Sequence, residues 1–187
     1  AWTSTGYIPT TCCVIATGGA GALFQGGTSP SQCDGSGIAV AARAGALLAD
    51  MEFTQFHPTV IDCRAPDGRG LLVSEAVRGA GAILVDESGQ RFVDELQPRD
   101  CVSRAVAQKI LCGQKVFLDA RRLHTGQFSQ IFPTIFSSCK TFNIDPDTDL
   151  IPVRPGMHYL MGGIHVDLSG RSSIPGLWAC GEVACTG

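Results

Sequence analysis

The chain contains no apolar run near the ~20 residues that span a bilayer, and its opening, AWTSTGYIPTTCC, lacks the charged start and long apolar stretch of a secretory leader. Basic residues are in the minority, 14 Lys and Arg against 17 Asp and Glu for a net charge of −3, so neither nucleic acid nor an anionic membrane is indicated as a partner. Nine cysteines are present, yet no two form C-x-x-C and no histidine stands at zinc-finger spacing. The closely spaced thiolates of iron–sulfur and structural zinc sites are missing, and no metal site is expected. The cysteines in VSRAVAQKILC and LWACGEVAC sit in apolar company, where they read as small buried hydrophobes in a reduced, cytoplasmic compartment. Two glycine runs, Gly19-Ala20-Gly21-Ala22-Leu23-Phe24 and Gly79-Ala80-Gly81-Ala82-Ile83-Leu84, lack the third glycine of the dinucleotide fingerprint and are rejected as pyrophosphate loops. Repeats and low-complexity segments are absent, as is an initiator methionine. The last motif, GEVACTG, stops in mid-phrase, and the chain reads as a section of a longer protein.

What remains is a globular composition, 44% hydrophobic and 17% charged over 187 residues, long enough for one domain or slightly more. The apolar run Cys13–Ala16 predicts a short strand, broken by Thr17-Gly18-Gly19. Ser36 to Asp50 predicts a small-residue helix capped by Asp34 or Ser36, with Ile38, Ala41, Ala42, Gly45 and Leu48 at helical spacing. Met51–Thr59 is expected to be extended, carrying Glu52, Gln55 and His57. Ala82–Asp86 and Arg91–Val93 flank a hairpin turn, and Pro98-Arg99-Asp100 opens a helix with Val102, Val106 and Ile110 on one face. Val116–Asp119, Gly163–Leu168 and Leu177–Cys180 read as strands, and Pro146–Pro155 as a loop-rich connection. Strand, glycine loop and close-packed helix make the pattern of an α/β nucleotide-binding layer. The outer thirds resemble one lobe, and the middle an α+β insertion that interrupts it.

The chemistry-bearing residues fall into two groups. Thr17, Gly18 and Gly19 offer bare backbone after a strand, which either approaches a flat or phosphorylated ligand or merely turns. Glu182 follows a strand at its carboxyl end, where it either holds sugar hydroxyls or is an exposed turn acid. The second group is His57, Ser74, Glu75, Arg78, Arg99 and His158. Two arginines and two histidines in one pocket would grip a dicarboxylate, because guanidinium forks pair with carboxylates and imidazoles donate hydrogen bonds. Taken singly, the arginines also read as surface or interdomain ion pairs, and the histidines as satisfied core residues. His124 and His165 have only that bland reading. Ser74 lacks a nucleophile elbow.

The segments ATGGAGALFQ, GIAVAARAGALLADMEFTQFHPT, LLVSEAVRGAGAILVDESGQRFVDE, PRDCVSRAVA and HYLMGGIHVDLSGRSSIPGLWACGEVACTG resemble the flavoprotein family of L-aspartate oxidase and the succinate dehydrogenase/fumarate reductase flavoprotein subunit. VFLDARRL, FPTIFSSCKTFNIDPDTDLIPVRPGMHY and the ending GEVACTG are more similar to the oxidase branch. The resemblance implies an α/β fold: part of a FAD-binding Rossmann-like domain over 1–57, an α+β capping domain over 58–155 and a return segment over 156–187, with substrate held against the flavin. It places catalysis on Arg99, Glu75, His57 and His158, substrate binding on His57, Ser74 (commonly Thr), Arg99 and His158, and FAD contacts on Thr17, Gly18, Gly19, Ser36 and Glu182. Arg99 matches the arginine used for proton transfer; a guanidinium stays charged, so Glu75 is expected to relay the proton. Ser36 departs from the family, which usually has Asp there, while Asp34 stands before Gly35. The implied reaction oxidises L-aspartate, or another dicarboxylate, to iminoaspartate with oxygen or fumarate as acceptor. It belongs to NAD biosynthesis, with quinolinate synthase as pathway partner. The chain by itself is expected to be inactive and free of flavin, because the family's N-terminal G-x-G-x-x-G segment and the region after GEVACTG are not in it. The alternatives are a succinate dehydrogenase or fumarate reductase flavoprotein subunit and a non-catalytic remnant.

Overall fold

Turn residues divide the chain into short elements, and pairing between distant segments assembles them. The computed structural model describes residues 2–4, 6–63, 68–123 and 126–187; His124 lies outside the described residues. In chain order the elements are β1 (Trp2–Thr3), β2 (Gly6–Tyr7), β3 (Cys13–Ile15), α1 (Ser36–Arg43), β4 (Leu48–Ala49), β5 (Thr54–Ile61), α2 (Glu75–Gly79), β6 (Ile83–Asp86), α3 (Arg99–Leu111), β7 (Val116–Asp119), α4 (Phe128–Ile131), α5 (Pro133–Lys140), β8 (Ile151–Leu160), β9 (Gly163–His165), β10 (Leu177–Ala179) and β11 (Ala184–Cys185).

Two compact units emerge. The flanking unit comprises Ala1–Leu23, Pro30–Thr54 and Tyr159–Gly187. In it β3 pairs in parallel with β10, Val14 opposite Trp178, and β9 lies between β11, parallel to it, and antiparallel β4. The central unit comprises Phe24–Ser29 and Gln55–His158. Its four-stranded sheet has the order β5-β8-β7-β6, and its core joins Ile61, Val73, Val77, Leu84, Val102, Val106, Leu118, Phe128 and Ile151. Phe24–Ser29 is tied in by Thr28 N–H donating to the Met157 carbonyl at 2.8 Å, and by the Gly27 carbonyl accepting from Gly70 N–H at 2.9 Å.

Four expectations need correction. The helix from Ser36 ends at Arg43 rather than at Asp50. Gly45 adopts φ +92°; its N–H reaches Ala42 O and the Ala46 N–H reaches Ala41 O. This paired closure ends a helix, and it frees Leu48-Ala49 to join β9. Pro146–Pro155 is not a connection throughout, because β8 begins at Ile151. Pro152 keeps its carbonyl in the ladder, accepting Asp62 N–H at 2.8 Å, and Pro155 lies where β8 has run past the end of β7, so its missing N–H costs no bond to that strand. On α3, Val102 and Val106 are buried but Ile110 is exposed, since steps of four residues drift by about 40° around a helix. Cys112 and Cys180 are likewise exposed, unlike buried Cys185; they sit just past the ends of α3 and β10.

Candidate active site

Strand alternation puts Gln55, His57 and Thr59 of β5 on one face. His57 is 1% exposed. Thr59 N–H donates to its Nδ1 at 3.3 Å, while the Thr59 hydroxyl donates to the Val73 carbonyl at 2.9 Å. Nδ1 is thereby an acceptor, and the neutral ring carries its proton on Nε2, which has no hydrogen-bond partner among the described residues. Burial, reinforced by the charges of Arg78, Arg99 and His158, pushes the His57 pKa down to about 3. The His158 ring from β8 stands edge-on to His57, with centroids 5.4 Å apart, and its Nδ1 lies 2.8 Å from Thr28 Oγ1.

A second line of groups runs from β5 through α3 to α2. Arg99, the first residue of α3, donates from Nη1 to Gln55 Oε1 and from Nε to Glu75 Oε2, both at 2.8 Å. Glu75 opens α2 behind Ser74, whose hydroxyl accepts Ala76 N–H at 3.3 Å and caps the helix. The bond from Arg99 holds the Glu75 carboxyl below its ordinary pKa, with help from the charges of Arg99 and Arg78. Arg78, one turn further along α2, has its Nη2 3.9 Å from Glu75 Oε2 and donates from Nη1 to the Glu95 carbonyl at 2.5 Å. It is 2% exposed, which rules out the surface ion pair. Its Nε and Nη2 have no hydrogen-bond partner among the described residues, and burial lowers its pKa despite Glu75 and Glu95.

In the flanking unit the glycine segment follows β3 at its carboxyl end, next to the end of β10. A Cβ on Gly19 would run into the Glu182 carboxylate, so only glycine lets the two approach. Glu182 Oε1 accepts Leu160 N–H at 2.9 Å. Thr17 packs against Gly37 in the first turn of α1. The Ser36 N–H donates to Asp34 Oδ1 at 2.9 Å, and Ser36 holds that carboxyl below its ordinary pKa.

The FAD binding domain family matches residues 8–187. The chain belongs to this family. Among curated proteins it is 52% identical to L-aspartate oxidase of Mesorhizobium japonicum over 96% of this chain and 36% of that protein. It is 51% identical to L-aspartate oxidase of Agrobacterium fabrum over 96% and 35%. Among solved structures, E. coli quinol fumarate reductase matches with TM-score 0.83 and 34% identity over 93% of this chain and 34% of that one. The chain thus spans about a third of the length of the curated relatives it matches. Its α/β fold is that of the FAD-binding domain found in fumarate reductase flavoproteins, and FAD is the cofactor that the family indicates.

The residues present fit that cofactor. Gly18 and Gly19 offer backbone without side chains at the carboxyl end of a parallel strand pair, where α/β sheets bind ligands. Glu182 is pinned beside them by one oxygen, and its other oxygen is free of hydrogen bonds among the described residues. Ser36 fits less directly, because its N–H is already taken by the Asp34 carboxylate.

His57, Glu75, Arg99 and His158 come together in the central unit, with Ser74 at the cap of the helix that carries Glu75. Sequence reasoning did not assign roles to Gln55, Thr59 or Thr28. The first two share the period of β5 with His57, a signal that was legible. Thr28 gave none, standing 130 residues from its partner. Arg78 was visible through the Glu75-x-x-Arg78 spacing of one helical turn.

Proposed function

We propose that the whole protein oxidises L-aspartate to iminoaspartate, with oxygen or fumarate as the final acceptor, and that its product feeds NAD biosynthesis through quinolinate synthase. The central unit is the capping domain in this reading, and the flanking unit part of the FAD-binding domain. Bound FAD supplies the two-electron chemistry by accepting hydride from C2.

The observation that carries this reading is the buried His57 Nε2–H, which has no hydrogen-bond partner among the described residues and lies close to the charges of Arg78 and Arg99. A buried donor is normally satisfied, and a carboxylate oxygen accepts from such an N–H while its charge suits the neighbouring guanidinium groups. One substrate carboxylate is held by His57 from β5 with His158 beside it; the arginines make the pocket cationic and favour a dicarboxylate over a monocarboxylic amino acid. Loss of hydride from C2 leaves a cationic imine nitrogen, and the substrate ammonium must also shed protons. Arg99 lies where it can pass a proton on, and Glu75, bonded to it and held ionised, receives it. Ser74 supports Glu75 by capping α2.

The similarity to quinol fumarate reductase supports a second reading, a succinate-oxidising or fumarate-reducing flavoprotein subunit. Full-length protein loaded with FAD under anaerobic conditions separates the two. Bleaching of the flavin absorbance by L-aspartate and not by succinate is the expected result. Bleaching by succinate alone selects the second reading, and no bleaching by either rejects both.

A further inference from the structure

Glu95 lies in no helix or strand, yet it is 3% exposed. Its carboxylate accepts Leu84 N–H at 2.7 Å and takes a forked pair of bonds from Arg91, the shortest 2.6 Å from Nη2 to Oε2. Leu84 belongs to β6, the edge strand of the central sheet, and Val85 beside it bridges to Arg91. The carboxylate therefore stands where the carbonyl of a further strand would stand, and locks the 91–95 segment along that edge. The main-chain carbonyl of the same residue accepts a hydrogen bond from Nη1 of buried Arg78.

We propose that Glu95 is a positioning residue for the proton-handling groups: its side chain, fastened to Leu84 and Arg91, fixes the carbonyl that fixes Arg78 behind Glu75. The assignment rests on the function proposed above. That carbonyl is the only hydrogen-bond acceptor of the Arg78 guanidinium among the described residues. A guanidinium released from it no longer holds its place beside Glu75, 3.9 Å away. Glu75 is faced by Arg99 from α3 and by Arg78 from its own helix. Losing the second cation leaves the carboxylate easier to protonate, so the acid limb of the pH–rate profile moves to higher pH.

The test uses the full-length FAD-loaded enzyme and whichever of L-aspartate or succinate bleaches the unsubstituted protein. Glu95→Ala should lower kcat by about tenfold with KM within about twofold, and displace the acid limb upward. Glu95→Gln keeps an oxygen for Leu84 N–H and should restore kcat to within about threefold of the parent, with the parent's pH profile. If Glu95→Ala does not fold, Glu95→Asp takes its place, since the shorter arm cannot serve Leu84 and keep the carbonyl under Arg78; a kcat loss of about threefold or more, with KM held, is then expected. A purely structural role would lower the melting temperature and leave kcat and the pH profile at parent values. That result overturns the proposal, as does equal loss in Glu95→Ala and Glu95→Gln. Parent enzyme that neither dicarboxylate reduces overturns the functional reading itself, and the positioning role with it.

Discussion

His57 is uncharged through the physiological range because burial and three neighbouring cations or cation-forming groups hold its pKa at about 3. In the proposed function it therefore serves as a fixed N–H donor, and no proton is gained or lost at this ring near neutrality. In an NMR titration of the full-length protein its ring signals should show no transition near 6.5, the ordinary histidine value. The same shift makes a stability statement. The unfolded chain binds a proton at this residue below 6.5 and the folded chain does not until about 3. Stability is lost as pH falls through that window, at up to roughly 1.4 kcal/mol per pH unit from this group. Urea midpoints measured on either side of 6.5 check the sign. At this scale the sequence was a good guide to residue types and a poor one to their settings. His57 and Arg99 stand out beside their prolines, but burial and the tautomer fixed by Thr59 depend on contacts that adjacent residues do not encode.

Among the elements, the outcome turned on terminators and on neighbours. The strand β3, the start of α3 and the hairpin after β6 were legible because a short apolar run cut by glycines, a proline at the helix entry and Ser88-Gly89 are local signals. The end of α1 was misjudged because Gly45 fits the apolar face of a helix as well as it fits a left-handed turn. Gly45→Ala leaves room for the new methyl, with nothing within 4 Å of it, but places an L-residue at φ +92°. It should cost about 1 kcal/mol, read from chemical denaturation. Strand β8 was missed because two prolines argue against a strand, and only the register with β7 and the carbonyl bond to Asp62 make them tolerable. A linking segment matters as well: Thr28→Val removes the hydroxyl beside His158 and should raise KM for the dicarboxylate by about fivefold with a smaller change in kcat. Steady-state kinetics of the full-length enzyme decide it.

For the whole molecule, family membership was written in motifs spread from Ala16 to Gly187, so fold class and cofactor could be reached before any coordinates. The crossing of the chain between its two units was less legible: Phe24–Ser29 leaves the flanking unit, joins the central one and returns. Nothing in LFQGGTS marks it, because its ties reach residues far along the chain, main-chain bonds to Gly70 and Met157 and the Thr28 hydroxyl beside His158. The excursion also fixes an order of events during synthesis. Thr28 leaves the ribosome 130 residues before His158, and closing so long a loop is entropically unfavourable until other contacts have formed. Pairing of β3 with β10 waits still longer. The histidine pair should therefore be among the last features to form, and a nascent chain halted before β8 would lack both His158 and the strand that joins β5 to β7.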